Sequence, residues 1–133
     1  MIELRKVDAD CIDDLLALYR LLGERTPEES ISHRHMPSLT EHIEFVRSQP
    51  YEAWYLIMVG IGAVGSIYLS KQREIGVFIF RVHQRKGYGR AAVLELMRLH
   101  PGRFLANVNP ANDASHGLWQ GLGGRLIQVT YQL

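Results

Sequence analysis

Residues 74–92 read EIGVFIFRVHQRKGYGRAA. Apolar residues crowd the first part and two glycines one apart sit among three basic residues in the second. A helical apolar spacing then follows through Ala92, Val93, Leu96, Met97 and Leu99, stopped by Pro101-Gly102. The stretch therefore predicts a strand, a flexible positively charged turn and a helix running to about His100. Glycines between a strand and a helix let several amide N–H groups converge, and the helix N-terminus adds partial positive charge. Phosphate suits such a turn, and Arg85, Lys86 and Arg90 favour a diphosphate over a single carboxylate. A plain tight turn with solvated basic residues is the competing reading.

Before this stretch, IELRKV reads as a strand. DADCIDDLLALYRLLG reads as a helix with Ile12, Leu15, Leu16, Tyr19 and Leu22 on one face, closed by Gly23. ERTPEESISHRHMP, residues 24–37, is polar, has no period and reads as a long loop. Ser38 and Glu41 form a capping-box pattern for a second helix carrying Leu39, Ile43 and Val46 and ending before Pro50. YEAWYLIMV and AVGSIYLS, joined across GIG, predict a hairpin that continues into the EIGVFIF strand. After the turn, RFLANVNP reads as a strand and NDASHGLWQGL as a short helix ended by Gly123-Gly124. RLIQVTYQL alternates as a last strand. The expected order is β-α-α-β-β-β-α-β-α-β. It implies an α+β fold, a mixed and mostly antiparallel sheet of about six strands with helices on both faces, in one domain over residues 1–133.

The chain has 133 residues, 47% apolar composition and a formal net charge of +1, which suits one compact domain and argues against a polyanionic partner such as DNA. Cys11 is the single cysteine, which excludes an intrachain disulfide and a thiolate zinc site built from this chain alone. The N-terminus lacks a signal-peptide core and no stretch approaches the ~20 apolar residues of a membrane span, so a cytoplasmic location with no membrane partner is expected.

GYGRAA satisfies G-x-G-x-x-A, but a dinucleotide site also needs an acid ~20 residues on, where Asn107 and Asn109 stand instead. An antiparallel meander ahead of the turn also disfavours a doubly wound sheet. The sequence instead resembles the GNAT superfamily of acyl-CoA-dependent N-acetyltransferases. The matching residues are Gln84, Gly87 and Gly89 in QRKGYG, then Asn112 and Ser115 in NPANDAS, followed by LGG. The pattern is most similar to the branch that acetylates ribosomal-protein N-termini, aminoglycosides and related amines.

That resemblance implies acetyl-CoA as co-substrate, no metal, and transfer of the acetyl group to a primary amine. Backbone groups of Val77, Phe78 and Ile79 would line the pantetheine arm, and the N–H groups of Arg85, Lys86, Gly87, Tyr88, Gly89 and Arg90 would cradle the pyrophosphate. Asn112 would hold the splay between two parallel strands, a role compatible with an ordinary helix N-cap. The Ile79 N–H would face the developing oxyanion. The usual tyrosine acid is replaced by Trp119 and a usual glutamate by Asn107. This keeps open an alternative, a catalytically silent CoA- or nucleotide-binding module on the same fold.

Glu74 is the first candidate for a base acting through water, weighed against a solvated strand-end acid. His33 and His35 sit in the loop that in this fold borders the acceptor, and Tyr68 ends a strand where it could donate a hydrogen bond. A zinc site at H-x-H lacks a third ligand nearby. His83 and His116 read as surface residues flanking the cofactor, and Trp54, Trp119 and Cys11 as core or pocket wall. GNAT domains usually continue past the strand in which this sequence stops. The resulting open edge predicts a partner subunit and a homodimer.

Overall fold

The computed structural model describes residues 1–25 and 36–133. The elements run β1 (Glu3–Lys6), α1 (Ile12–Gly23), α2 (Leu39–Arg47), β2 (Ala53–Val59), β3 (Gly62–Leu69), β4 (Ile75–Ile79), α3 (Tyr88–Leu99) and α4 (Asp113–Gly121). A single turn of 3-10 helix, Arg81–His83, leads from β4 toward α3.

The strands pair in chain order as an antiparallel meander, β1-β2-β3-β4. The hairpin across GIG forms as expected, with Gly60 at φ +62° at its tip. Because strand side chains alternate, the sheet has two different faces. Tyr55, Ile57, Ile67 and Ile75 pack with Ala92, Val93 and Leu96 of α3. Leu56, Phe80 and the partly buried Trp54 and Phe78 pack with Leu15, Leu18 and Leu21 of α1 and Val46 of α2. Each fully buried aliphatic side chain in these two layers contributes about 1.5–3 kcal/mol relative to exposure.

The helices differ in detail from the periodicity. In α1 the buried residues are Asp14, Leu15, Leu18 and Leu21, while Ile12 and Leu16 are exposed. The helix is turned because Asp14 faces inward. Its carboxylate accepts hydrogen bonds from Arg5 Nη2 (2.9 Å) and the Asp8 N–H (2.9 Å). The Ser38–Glu41 capping box is present, with both reciprocal bonds made. In α3 the buried stripe is narrower than predicted, since Met97 and Leu99 are exposed.

The largest correction concerns strand number. Among the described residues the sheet has four strands, not about six. RFLANVNP contributes one parallel bridge, Glu74 with Leu105, in the parallel sense expected for a crossover through α3 but without becoming a strand. RLIQVTYQL makes no strand, and Leu126, Ile127, Val129, Tyr131 and Leu133 are exposed. Alternation specifies which face a strand would bury, yet a strand forms only beside a neighbour with free backbone groups. With only Leu105 bonded to β4, residues 125–133 have no fifth strand to pair with.

Candidate active site

The outer edge of β4 follows from the pairing. Phe80 N–H bonds Val64 O and Ser70 N–H bonds Glu74 O. With the β3–β4 register this makes Ser66/Phe78 and Tyr68/Gly76 the hydrogen-bonded pairs. The N–H groups of Ile75, Val77 and Ile79 therefore point away from the sheet. Ile75 uses its own on Leu105 O (2.7 Å), and beyond it the strands part. Val77 and Ile79 thus keep outward amides on this edge. Phe78 does not, because its amide faces β3. Of the three backbone positions assigned to the pantetheine, two have the right direction.

This edge forms one wall of a cleft of about 570 Å³, which Gln84 and Gly89 at the head of α3, and Asn112, Ser115 and Trp119 around α4, also line. Gln84 Nε2 donates to Ile79 O (3.1 Å), tying the turn to the end of β4. Gly87 is the N-cap of α3 at φ +82°, and Arg85 also takes a positive φ, +64°. A Cβ on Gly87 would meet nothing within 4 Å. The left-handed backbone therefore calls for glycine here, not crowding within the chain. Ala91 N–H is bonded to Gly87 O, so the first turn of α3 presents its amides outward in the usual way of helix N-termini. Arg85 and Lys86 are exposed. Arg90 is turned aside, its Nη1 donating to Gly121 O at the end of α4 (3.2 Å).

Asn112 is the N-cap of α4, its Oδ1 accepting from Ser115 N–H (3.0 Å), and Ser115 Oγ accepts from Trp119 Nε1 (3.2 Å). On the opposite wall, Glu74 Oε2 accepts from Asn107 Nδ2, and Ser70 Oγ lies 3.5 Å from Oε1. Asn107 therefore faces the acid proposed as base.

Tyr68 lies beside this pair. Its ring passes over Gly76, where a Cβ would stand 2.2 Å from two ring carbons, so only glycine lets the tyrosine cross β4. Tyr51 stacks on it at 3.9 Å with planes 4° apart. Burial holds both phenols above the ordinary tyrosine range. The Glu74 charge adds to this at Tyr68, and Arg25 opposes it at both.

His33 and His35 lie outside the described residues. His83 and His116 line neither of the two cavities at this site. Trp54, read as core or pocket wall, lines the smaller of these cavities, whereas Arg25, His42 and Tyr51 went unnoticed. His42 is buried, its Nε2 donating to Leu15 O (3.1 Å), and burial lowers its pKa. The signal at hand for Tyr51 was the aromatic density of YEAWY. Nothing local marks Arg25. Among the described residues no group of three His, Cys, Asp or Glu is placed to hold a metal, and no helix is long and apolar enough to cross a membrane.

The family model for GNAT acetyltransferases matches residues 15–124, which include both the turn and α4. The chain belongs to the GNAT acetyltransferase family. It is accordingly an acetyl-CoA-dependent N-acetyltransferase. The turn and the β4 edge fit that co-substrate: outward amides, a left-handed glycine and two exposed basic side chains suit a chain of amides ending in phosphates.

The GNAT fold is also found by comparison with solved structures. An N-acetyltransferase from Staphylococcus aureus Mu50 superposes with a TM-score of 0.74 at 16% identity, over 92% of this chain and 82% of that one. The spermidine/spermine N-acetyltransferase SpeG from Vibrio cholerae gives 0.72 at 17%, over 92% and 78%. The yncA protein from Salmonella typhimurium, solved with its cofactor acetyl-CoA, gives 0.68 at 18%, over 92% and 79%. Comparison with curated protein sequences returns no match.

Proposed function

We propose that this GNAT domain acetylates a primary amine that enters the cleft from the Tyr68 side, with Glu74 as the base. The observation carrying this reading is that one cleft contains the outward amides of Val77 and Ile79, the head of α3 and the Glu74–Asn107–Tyr68 group. Acetyl-CoA supplies an activated acyl carbon. The chain's residues hold it, strip a proton from the acceptor and meet the charge that develops on the carbonyl oxygen.

Val77 and Ile79 amides bind the pantetheine arm as an added strand would, and the Ile79 N–H is the donor for the developing oxyanion. Amides of residues 85–90 hold the pyrophosphate, with Arg85 and Lys86 supplying formal charge. An amine is mostly ammonium near neutral pH and must lose a proton before it attacks. Glu74 takes that proton through water, and Asn107 fixes the orientation of its carboxylate. Tyr68 acts as a hydrogen-bond donor rather than a proton source, because a phenol held above its ordinary pKa is a weaker acid than usual. The leaving sulfur therefore recovers its proton from water or from the ammonium formed on attack.

Thiol release from acetyl-CoA in the presence of amines tests this, paired with calorimetric binding of acetyl-CoA. Glu74→Gln should lower kcat by about 100-fold while acetyl-CoA affinity stays within about twofold. Unchanged kcat would remove Glu74 as the base.

A further inference from the structure

Glu74 and Asn107 meet at the closed end of the cleft, where little backbone pairing holds the two segments together. Residues 103–108 join β4 through one parallel bridge, made by Leu105 N–H on Arg73 O (2.9 Å) and Ile75 N–H on Leu105 O (2.7 Å). So short a pairing is marginal by itself. The Glu74 carboxylate is nonetheless approached from two directions. Ser70 Oγ, on the same turn, lies 3.5 Å from Oε1, and Asn107 Nδ2 donates to Oε2. The first contact is local to residues 70–74. The second exists only while residues 103–107 stay against β4.

Arg73 provides the missing hold. It precedes Glu74 in a left-handed backbone conformation, φ +68°, and its side chain crosses to the loop that leaves α3. Nε donates to Arg103 O (3.1 Å), and Nη2 donates to His100 O (2.8 Å) and Pro101 O (3.2 Å). The guanidinium carbon lies 4.8 Å from the centre of the Phe104 ring. Three carbonyls and a ring face suit a planar fork of fixed charge, and the C-terminal end of α3 favours a cation. Gly102 completes the fit: it takes φ +145°, and a Cβ there would stand 2.6 Å from Arg73 Nη2. The ion pair with Glu52 (3.3 Å) is exposed and adds little. Arg73 does not line the cleft, so it reaches the reaction only through its neighbours.

We propose that Arg73 is a positioning residue for acetyl transfer. Its guanidinium clamps residues 100–104 to the β3–β4 turn, fixes where the cleft closes, and through Asn107 sets the direction of the Glu74 carboxylate. The inference rests on the reading of Glu74 as the base. A base displaced by about 1 Å loses rate without losing substrate. Loosening the clamp should therefore lower kcat and leave KM and donor affinity nearly as they were.

Arg73→Gly suits the left-handed backbone and removes only the side chain. In NMR spectra the side-chain amide protons of Asn107 should move toward the positions they take in Glu74→Ala, where the carboxylate is gone. Thiol release from acetyl-CoA is followed with spermidine, tyramine, a lysine peptide or a peptide N-terminus, whichever the native protein turns over fastest. There kcat should fall by about 30-fold, with KM and acetyl-CoA affinity within about threefold. Arg73→Lys should recover part of the loss. Arg73→Gly combined with Asn107→Ala should be no slower than the slower single variant, because both act on one carboxylate. Should Arg73→Gly fail to fold, Gly102→Ala pushes the guanidinium from the loop side and should move the Asn107 signals in the same direction. Unmoved Asn107 signals, unchanged kcat, or losses that multiply in the double variant would overturn the positioning role and leave Glu74 as the base. Unchanged kcat in Glu74→Gln would overturn the base itself, whatever Arg73 does.

Discussion

The two cavities that meet at β4 are built by different means. The larger runs along the outer edge of β4 and offers the proposed donor backbone: amides of β4, amides at a helix head and a glycine with positive φ. On the α1–α2 side the cavity is built from side chains contributed by α1 and its end, α2, β2, β3 and β4. Backbone recognition needs few particular residues and tolerates change around them. Side-chain recognition depends on each residue at once.

The largest effect should come from the backbone side. Gly87→Val forces a β-branched residue into the left-handed region, at roughly 1–2 kcal/mol, and turns the head of α3. Acetyl-CoA affinity should fall by about 100-fold in calorimetry, equal to ~2.7 kcal/mol. Unchanged affinity would show that the phosphates are held elsewhere, and the contrast between the two sides would fail.

A smaller effect, and one that crosses the sheet, should follow Gly76→Ala. The new methyl group would meet the Tyr68 ring at 2.2 Å and drive it outward. Stability should fall by about 1–3 kcal/mol in urea denaturation. Turnover should drop by roughly tenfold, with acetyl-CoA affinity little changed. Loss of donor binding as well would mean that the two sites are one.

The smallest concerns His42. Burial keeps its folded pKa below the ordinary 6.5, so the unfolded chain takes up a proton first as pH falls. Its stabilising contribution is complete above about pH 6.5 and is lost as pH falls toward the folded value. The urea midpoint should decline from pH 7.5 to 5.5 in the native protein and decline less in His42→Gln. Parallel declines would assign the effect to other groups.

The same contrast explains what could be read from the sequence. Gly87, the Ser38–Glu41 box and the GIG hairpin are local requirements, and each formed as expected, whereas Gly89 lies inside α3 without a positive φ. The Asn112 cap was legible for the same reason, since its partner Ser115 is three residues away. Tyr51, Trp54 and Tyr68 converge through the meander and meet Arg25 only where α1 ends against it, and no spacing records that. Strand number was misread because residues 125–133 alternate perfectly well but lack a neighbour. The face of α1 was misread because Asp14, a charged residue, is held inside by Arg5 and Asp8.

Gly76 has a consequence beyond its own strand. It touches neither proposed ligand with a side chain, yet the absence of one decides where the Tyr68 ring lies and hence how much room remains between the two cavities. The dimensions of the passage between the two cavities are therefore set from a position that looks empty. Redesign of acceptor size could begin there, with the tyrosine trimmed to match, while the machinery that holds the donor stays untouched.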